Sequence, residues 1–164
     1  MKRSAKQSKD GAEFMREAIA LSLRAVRRGT GGPFGAVVVK DGVIVGRGWN
    51  AVTSRNDPTL HAEVMAIRAA CRRLGTFRLS GCELYASCEP CPMCLGAIHW
   101  ARIGRVYYGN TRMDAAAIGF DDARFYAELA RPAAKRRMTM RQMLRSEALA
   151  AFAKWQHKPD RVKY

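Results

Sequence analysis

The sequence predicts an α/β fold, with helices packed on a sheet that is at least partly parallel. Two observations carry this. Segments of helical spacing alternate with short β-branched runs, and their order along the chain reads α-β-β-α-β-α-β-α-α. The chain has 164 residues, 48% of them hydrophobic and 9% aromatic, which suits one domain with a substantial core rather than a disordered segment.

Residues 1–12 read as a basic, disordered tail, and their lack of an apolar middle excludes a secretory signal. A single domain is expected over 13–164, since no Gly/Ser linker or internal repeat divides it. EFMREAIALSLRAVRRG (13–29) predicts a helix: Phe14, Ile19, Leu23 and Val26 fall near one face, and Gly29 suits its end. FGAVVVKDGVIVGRGWN (34–50) predicts two strands joined as a hairpin at Asp41-Gly42. NDPTLHAEVMAIRAACRRLG (56–75) follows as a helix stopped by Gly75. CELYAS (82–87) reads as a strand, PMCLGAIHWAR (92–102) as a helix with Pro92 in its first turn, and RVYYGN (105–110) as a strand. Residues 121–129 and 146–156 read as helices.

The formal net charge of +15 comes from 29 basic and 14 acidic residues. Such a field suits an anionic partner, nucleic acid included. The basic residues are nevertheless spread along the whole chain, from Lys2 through Arg27, Arg72, Arg105 and Arg137 to Arg161, as on an ordinary solvated surface. No apolar run approaches membrane-spanning length. The five cysteines are odd in number and show no sign of export, which points to reduced thiols in the cytoplasm.

The chemistry concentrates in SCEPCPMCLGAIHWAR (87–102), where Cys88, Cys91 and Cys94 are evenly spaced. An iron–sulfur run of the bacterial type needs a fourth cysteine where Ile98 stands. A thioredoxin-like pair leaves the upstream His61 and Glu63 without a purpose. A structural zinc site needs four ligands, which the three cysteines and a distant histidine supply, so that reading stays open. A catalytic zinc needs three protein ligands and an open position for water, and His61, Cys91 and Cys94 form such a set. H-x-E followed by P-C-x-x-C is the signature of zinc nucleobase deaminases, and here it stands as His61-Ala62-Glu63 and Pro90-Cys91-Pro92-Met93-Cys94. Both groups fall in the first turn of a helix, where the free N–H groups favour thiolates and an anionic intermediate. Glu63 is close enough to move protons without ligating the metal. Cys88, ending a buried strand, is assigned to packing behind the site.

At these motifs the chain resembles the cytidine deaminase-like superfamily. GGPFGAVVVKDG (31–42), NDPTLHAEV (56–64), SCEPCPMCLGAIHWAR (87–102), DAAAIGFDD (114–122) and the ending KWQHKPDRVKY narrow the resemblance to the bacterial guanine deaminase family. That resemblance implies a three-layer fold with a central mixed five-stranded sheet, one catalytic zinc per subunit, and hydrolysis of the nucleobase guanine to xanthine and ammonia in purine salvage or catabolism. It implies His61, Cys91 and Cys94 as zinc ligands and Glu63 as proton carrier. Asn50 and the Ala62 N–H would bind the purine edge, with Phe34 and Trp100 lining the base pocket. It further implies a homodimer that exchanges its C-terminal segments, about 120–164, so that Asp122 binds the base and shuttles a proton while Tyr164 closes the pocket. On their own, Phe34 and Trp100 equally suit a core, Asn50 a turn, Asp122 a helix start, and Tyr164 a frayed end.

The strongly basic stretch from Arg131 to Arg145 sits where a pocket mouth would lie, which keeps the substrate open among guanine, guanosine, cytosine and ammeline. The nearest rival is a tRNA adenosine deaminase, which shares the zinc motifs and profits from positive charge. GFDD and the aromatic terminus speak against it. A non-catalytic, zinc-stabilised RNA-binding domain is the rival from outside enzymology.

Overall fold

The computed structural model describes residues 3–164, with side chains from Gly11 onward. The chain divides into two compact units, the first running to Asp122 and the second from Ala123 to Tyr164.

In the first unit, helix α1 (Arg3–Arg28) precedes strands β1 (Gly35–Lys40) and β2 (Val43–Trp49). A short helix α2 (Val52–Arg55) leads to α3 (Ala62–Leu74), then β3 (Cys82–Cys88), α4 (Pro92–Trp100), β4 (Arg105–Asn110) and α5 (Arg112–Ala117). The sheet order is β2-β1-β3-β4. β1 pairs antiparallel with both β2 and β3, whereas β3 and β4 run parallel. The parallel pair requires a crossover, and α4 is that crossover.

The sheet is mixed, as expected, but it has four strands among the described residues rather than five. The chain leaves β4 through Thr111, which caps α5 in a reciprocal capping box with Asp114, and runs on into helix instead of a further strand. The tail expected over 1–12 is, from Arg3 on, the first part of α1; Met1 and Lys2 lie outside the described residues. Gly11 is the weakest helix former there. It passes close to the Tyr85 ring, whose hydroxyl would lie 3.6 Å from an added Cβ. Helices α2 and α5 were not legible in the sequence, because each is too short to show a period.

The two faces of the sheet bury different layers. Val37, Val39 and Tyr85 pack with Leu21 and, at the margin, Phe14 of α1. Ala36, Val38, Leu84 and Ala86 meet Ala62, Ala66 and Ala70 of α3 and Ile98 of α4. The alternation along β1 is the pleat itself, so consecutive valines serve opposite cores. At the hairpin, Asp41 and Gly42 have φ of 49° and 76°, as a tight turn between twisted strands requires.

Helix α3 lies unusually close to β2 because two glycines let it. A Cβ on Gly46 would fall 2.2 Å from the Ala66 carbonyl oxygen, and one on Gly48 would fall 2.1 Å from that of Ala62. Gly48 therefore sets the depth of the first turn of α3, which follows directly on His61.

In the second unit, α6 (Ala123–Ala130), a 3-10 turn (Ala133–Lys135) and α7 (Arg145–Gln156) contain no buried residue. Among the described residues, no helix is long and apolar enough to cross a membrane.

Replacing Gly48 with alanine is expected to destabilise the protein by about 1–3 kcal/mol through overpacking against the α3 backbone. Urea unfolding checks this against Gly104→Ala, where an added Cβ meets nothing within 4 Å and the midpoint should not move.

Candidate active site

Two helix starts build the site. His61 is the residue preceding α3, with φ −73° and ψ 155°, and Cys91 is its counterpart at α4, with φ −67° and ψ 168°. Capping positions of this kind usually carry Ser, Thr, Asp or Asn, whose side chain folds back onto the first turn. Neither His61 nor Cys91 makes such a bond, so both side chains point outward from the helix ends. The next ligand group, Cys94, sits in the first turn of α4 and is fully buried.

These side chains converge. His61 Nδ1 lies 3.5 Å from Cys91 Sγ and 3.6 Å from Cys94 Sγ, and the three donor atoms all lie within 4.8 Å of one another. With zinc–sulfur bonds of about 2.3 Å, zinc–nitrogen bonds of about 2.0–2.1 Å and tetrahedral angles, nitrogen–sulfur separations come to about 3.5 Å. The donor set therefore fits zinc in both type and spacing. Three protein ligands leave the fourth position open, which is the catalytic rather than the structural pattern.

The electrostatics agree. The hydrogen bond from Cys94 pulls the Cys91 thiol down to about 4, with a further contribution from His61 and against the cost of burial. The same bond, and then burial, push Cys94 upward. His61 is raised chiefly by its bond to Cys91. Thiol and imidazole ligands bind a metal in their deprotonated forms, so occupancy of such a donor set depends on pH.

Glu63 lies two residues beyond His61 in the first turn of α3 and is 7% exposed. Burial raises its carboxyl above the usual range, and it shares a hydrogen bond with Cys94. A buried acid hydrogen-bonded to a member of the donor set differs in kind from the exposed acids that merely complement a helix dipole.

Asn50 is buried, and its side-chain oxygen accepts from the N–H of Gly32 at 3.1 Å and of Val52 at 3.3 Å. Both donors meet the oxygen, so the NH2 end of the amide is the one left to meet a ligand. Ala62 opens α3, where its N–H belongs to the orphan donors of the first turn. Phe34 is half-buried and packs edge-on against Phe120, with ring centroids 5.0 Å apart. Asp122 is raised by burial first and by the charge of Cys91 second, which places its carboxyl in the electrostatic reach of the ligand cluster.

The structure does not bring Trp100 to the ligands. It is the last residue of α4, about 14 Å along the axis from Cys91, and 62% exposed. Within one chain, helix α4 runs from the ligand end at Cys91 to Trp100 at its other end. Tyr164 belongs to the second unit and is exposed there. Cys88 is buried and donates its thiol to the Thr111 carbonyl at 3.6 Å, and burial pushes it up to about 11. It remains a thiol and stays outside the donor set.

Sequence reasoning missed two supports. The Ser87 hydroxyl accepts from the buried Gly35 N–H at 3.0 Å, tying the end of β3 to the start of β1. Phe120 backs Phe34, and its only trace in the sequence is its place inside GFDD.

The model of the cytidine and deoxycytidylate deaminase zinc-binding region matches residues 8–110. The chain belongs to this family. Zinc is what the family's region binds, and His61, Cys91 and Cys94 are the group here that fits it. A guanine deaminase from Bacillus subtilis (strain 168) is 50% identical over 151 residues, covering 92% of this chain and 97% of that protein. The X-ray structure of guanine deaminase from Bacillus subtilis superposes with a TM-score of 0.89 at 49% identity, over 93% of this chain and 98% of that one. A tRNA-specific adenosine deaminase from Aquifex aeolicus (strain VF5) is 45% identical over 95 residues, or 58% of this chain and 62% of that protein.

The donor set makes a sharp prediction about metal content. Purified protein should carry one zinc per subunit by elemental analysis, and Cys91→Ser or His61→Ala should lose it under dialysis. Cys88→Ala should keep it. Loss of zinc from the Cys88 variant alone would overturn the assignment of ligands.

Proposed function

We propose that this family member deaminates guanine hydrolytically, giving xanthine and ammonia. The observation that carries the reading is the buried Glu63 carboxyl set against a three-ligand zinc site with an open position. Bound zinc supplies a Lewis acid at which water ionises near neutral pH. Glu63 accepts the proton of the attacking water and returns it to the ring nitrogen. As the carbon–nitrogen bond at the amine-bearing carbon breaks, the proton left on the added oxygen passes to the departing amine, which leaves as ammonia while that oxygen becomes a carbonyl of xanthine. The Asn50 NH2 and the Ala62 N–H hold the purine edge, Phe34 offers an aromatic wall, and Asp122 binds the base and relays a proton.

Guanine is favoured over tRNA adenosine by coverage. The guanine deaminase relative aligns with 92% of the chain, including nearly all of its own length, whereas the tRNA deaminase aligns with 58%. The segment from Ala123 onward also speaks for a dimer. It contains no buried residue, yet it exposes Leu129, Met143, Phe152 and Trp155. In our reading two subunits exchange these segments, and Tyr164 closes the pocket of its partner. Free thiols and a nucleobase substrate suit a cytoplasmic enzyme of purine metabolism.

Glu63→Gln should retain zinc and melting temperature but lower kcat by about 10²–10⁴-fold, the usual range for a lost general acid–base. Ammonia release from guanine, guanosine, cytosine, ammeline and tRNA measures the substrate, and release from tRNA but not guanine would reverse the assignment. The exchange has its own check. A chain ending at residue 159 should be nearly inactive alone but regain activity when co-expressed with Glu63→Gln, whose intact C-terminus would cover the truncated subunit's site. No recovery in a verified heterodimer would place Tyr164 outside the partner's pocket.

A further inference from the structure

Apart from the zinc ligands, the first unit holds a cavity of about 450 Å³ bordered by the end of β2, by α2 and by one face of α3. Its volume lies within the range of about 300–1,000 Å³ common to small-ligand sites. Trp49, Leu60 and Met65 make an apolar wall, and Arg55, Arg68 and Arg72 supply three guanidinium groups.

Little of this charge is met by the protein itself: Arg68 helps to lower the Asp57 carboxyl, after the two bonds from Thr59, without a contact ion pair. Among the described residues, the ion pairs engage Arg47, Arg105, Arg131 and Lys158, and none engages Arg55, Arg68 or Arg72. Arg68 and Arg72 stand one turn apart on α3, a spacing at which like charges repel and destabilise the helix. The one acid in the lining is Asp57. Its Oδ1 already accepts from the Thr59 N–H at 2.8 Å and the Thr59 hydroxyl at 2.6 Å. Three guanidiniums against one carboxylate leave a net positive pocket with an aromatic wall. That combination differs from the diffuse basic surface, where charge comes without a cavity or a ring.

Each feature selects part of a ligand. Guanidinium pairs grip a phosphate by parallel hydrogen bonds. An indole and two aliphatic side chains accept the face of a flat base. The second oxygen of Asp57 is an acceptor for sugar hydroxyls. We propose that this cavity binds a nucleoside monophosphate, its phosphate held by Arg55, Arg68 and Arg72 and its base against Trp49. The site is distinct from the zinc cluster, and the proposal stands whether or not guanine is the substrate. It also adjoins Asn50. Thr30, in the cavity lining, donates its hydroxyl to the Asn50 carbonyl at 3.1 Å, and its own carbonyl accepts from the Ser54 N–H at 3.2 Å.

Inosine 5′-monophosphate is the suitable probe, because it has no amine for the zinc site to release. By calorimetry on the full-length zinc-loaded protein, it should bind one per subunit, with inosine and inorganic phosphate each at least tenfold weaker. Arg68→Gln/Arg72→Gln should weaken it at least tenfold while leaving guanine turnover and melting temperature unchanged. Arg16→Gln/Arg24→Gln on α1 removes the same charge elsewhere and should change binding less than twofold. Hydrogen exchange on the unmutated protein should show protection by the nucleotide within residues 49–72. The proposal fails if the nucleotide does not bind, if phosphate alone binds as tightly, or if the two double variants weaken binding equally. It also fails if single-stranded RNA binds and the mononucleotide does not, or if protection falls elsewhere. Nucleotide binding here alongside no attack on guanine would retain this site and overturn only the proposed reaction.

Discussion

The rest of the structure depends on two helices starting at one place. His61 and Cys91 each stand just before a helix, and each declines the capping bond that such a position normally makes. Two helix N-termini, with their positive dipole ends, therefore face the same small volume. That field favours thiolate over thiol, which is the state a metal ligand needs. The open ends of the helices are the condition for the site rather than a defect beside it.

Packing makes the convergence possible. α3 reaches its place only because Gly46 and Gly48 of β2 leave no side chain under it. α4 reaches its own as the crossover between the parallel strands β3 and β4. Alanines dominate where α3 meets the sheet, at 62, 66 and 70, so backbone comes close to backbone. The ligand geometry is thus inherited from small residues that carry no chemistry themselves. Ser87 and Thr111 add to this by tying the strand ends that lead into and away from Cys91.

The first unit and the second are built on different terms. The first has a core on both faces of its sheet, whereas the second has helices without a buried residue. A segment of this kind gains its stability from whatever surface covers it, since short helices are marginal on their own in water. Asp122 closes the first unit and Tyr164 ends the second.

The sequence by itself brought out the donor set of His61, Cys91 and Cys94, the Glu63 beside it and most elements. H-x-E and P-C-x-x-C carry zinc chemistry in their spacing, and the Asp-Gly turn, Gly75 and Pro92 mark ends through backbone preferences that are local. It also separated Cys88 from its neighbours, because the place of a residue at a strand end is a local property. Three-dimensional placement was decided only by the tertiary structure. Four strands stand where five were expected, Trp100 is carried off along α4, and Phe120 is brought to Phe34. Arg55 comes to line one cavity with Arg68 and Arg72, which α3 sets one turn apart. Local preferences act over a few residues, whereas such meetings depend on sheet order and on how closely a helix is allowed to approach.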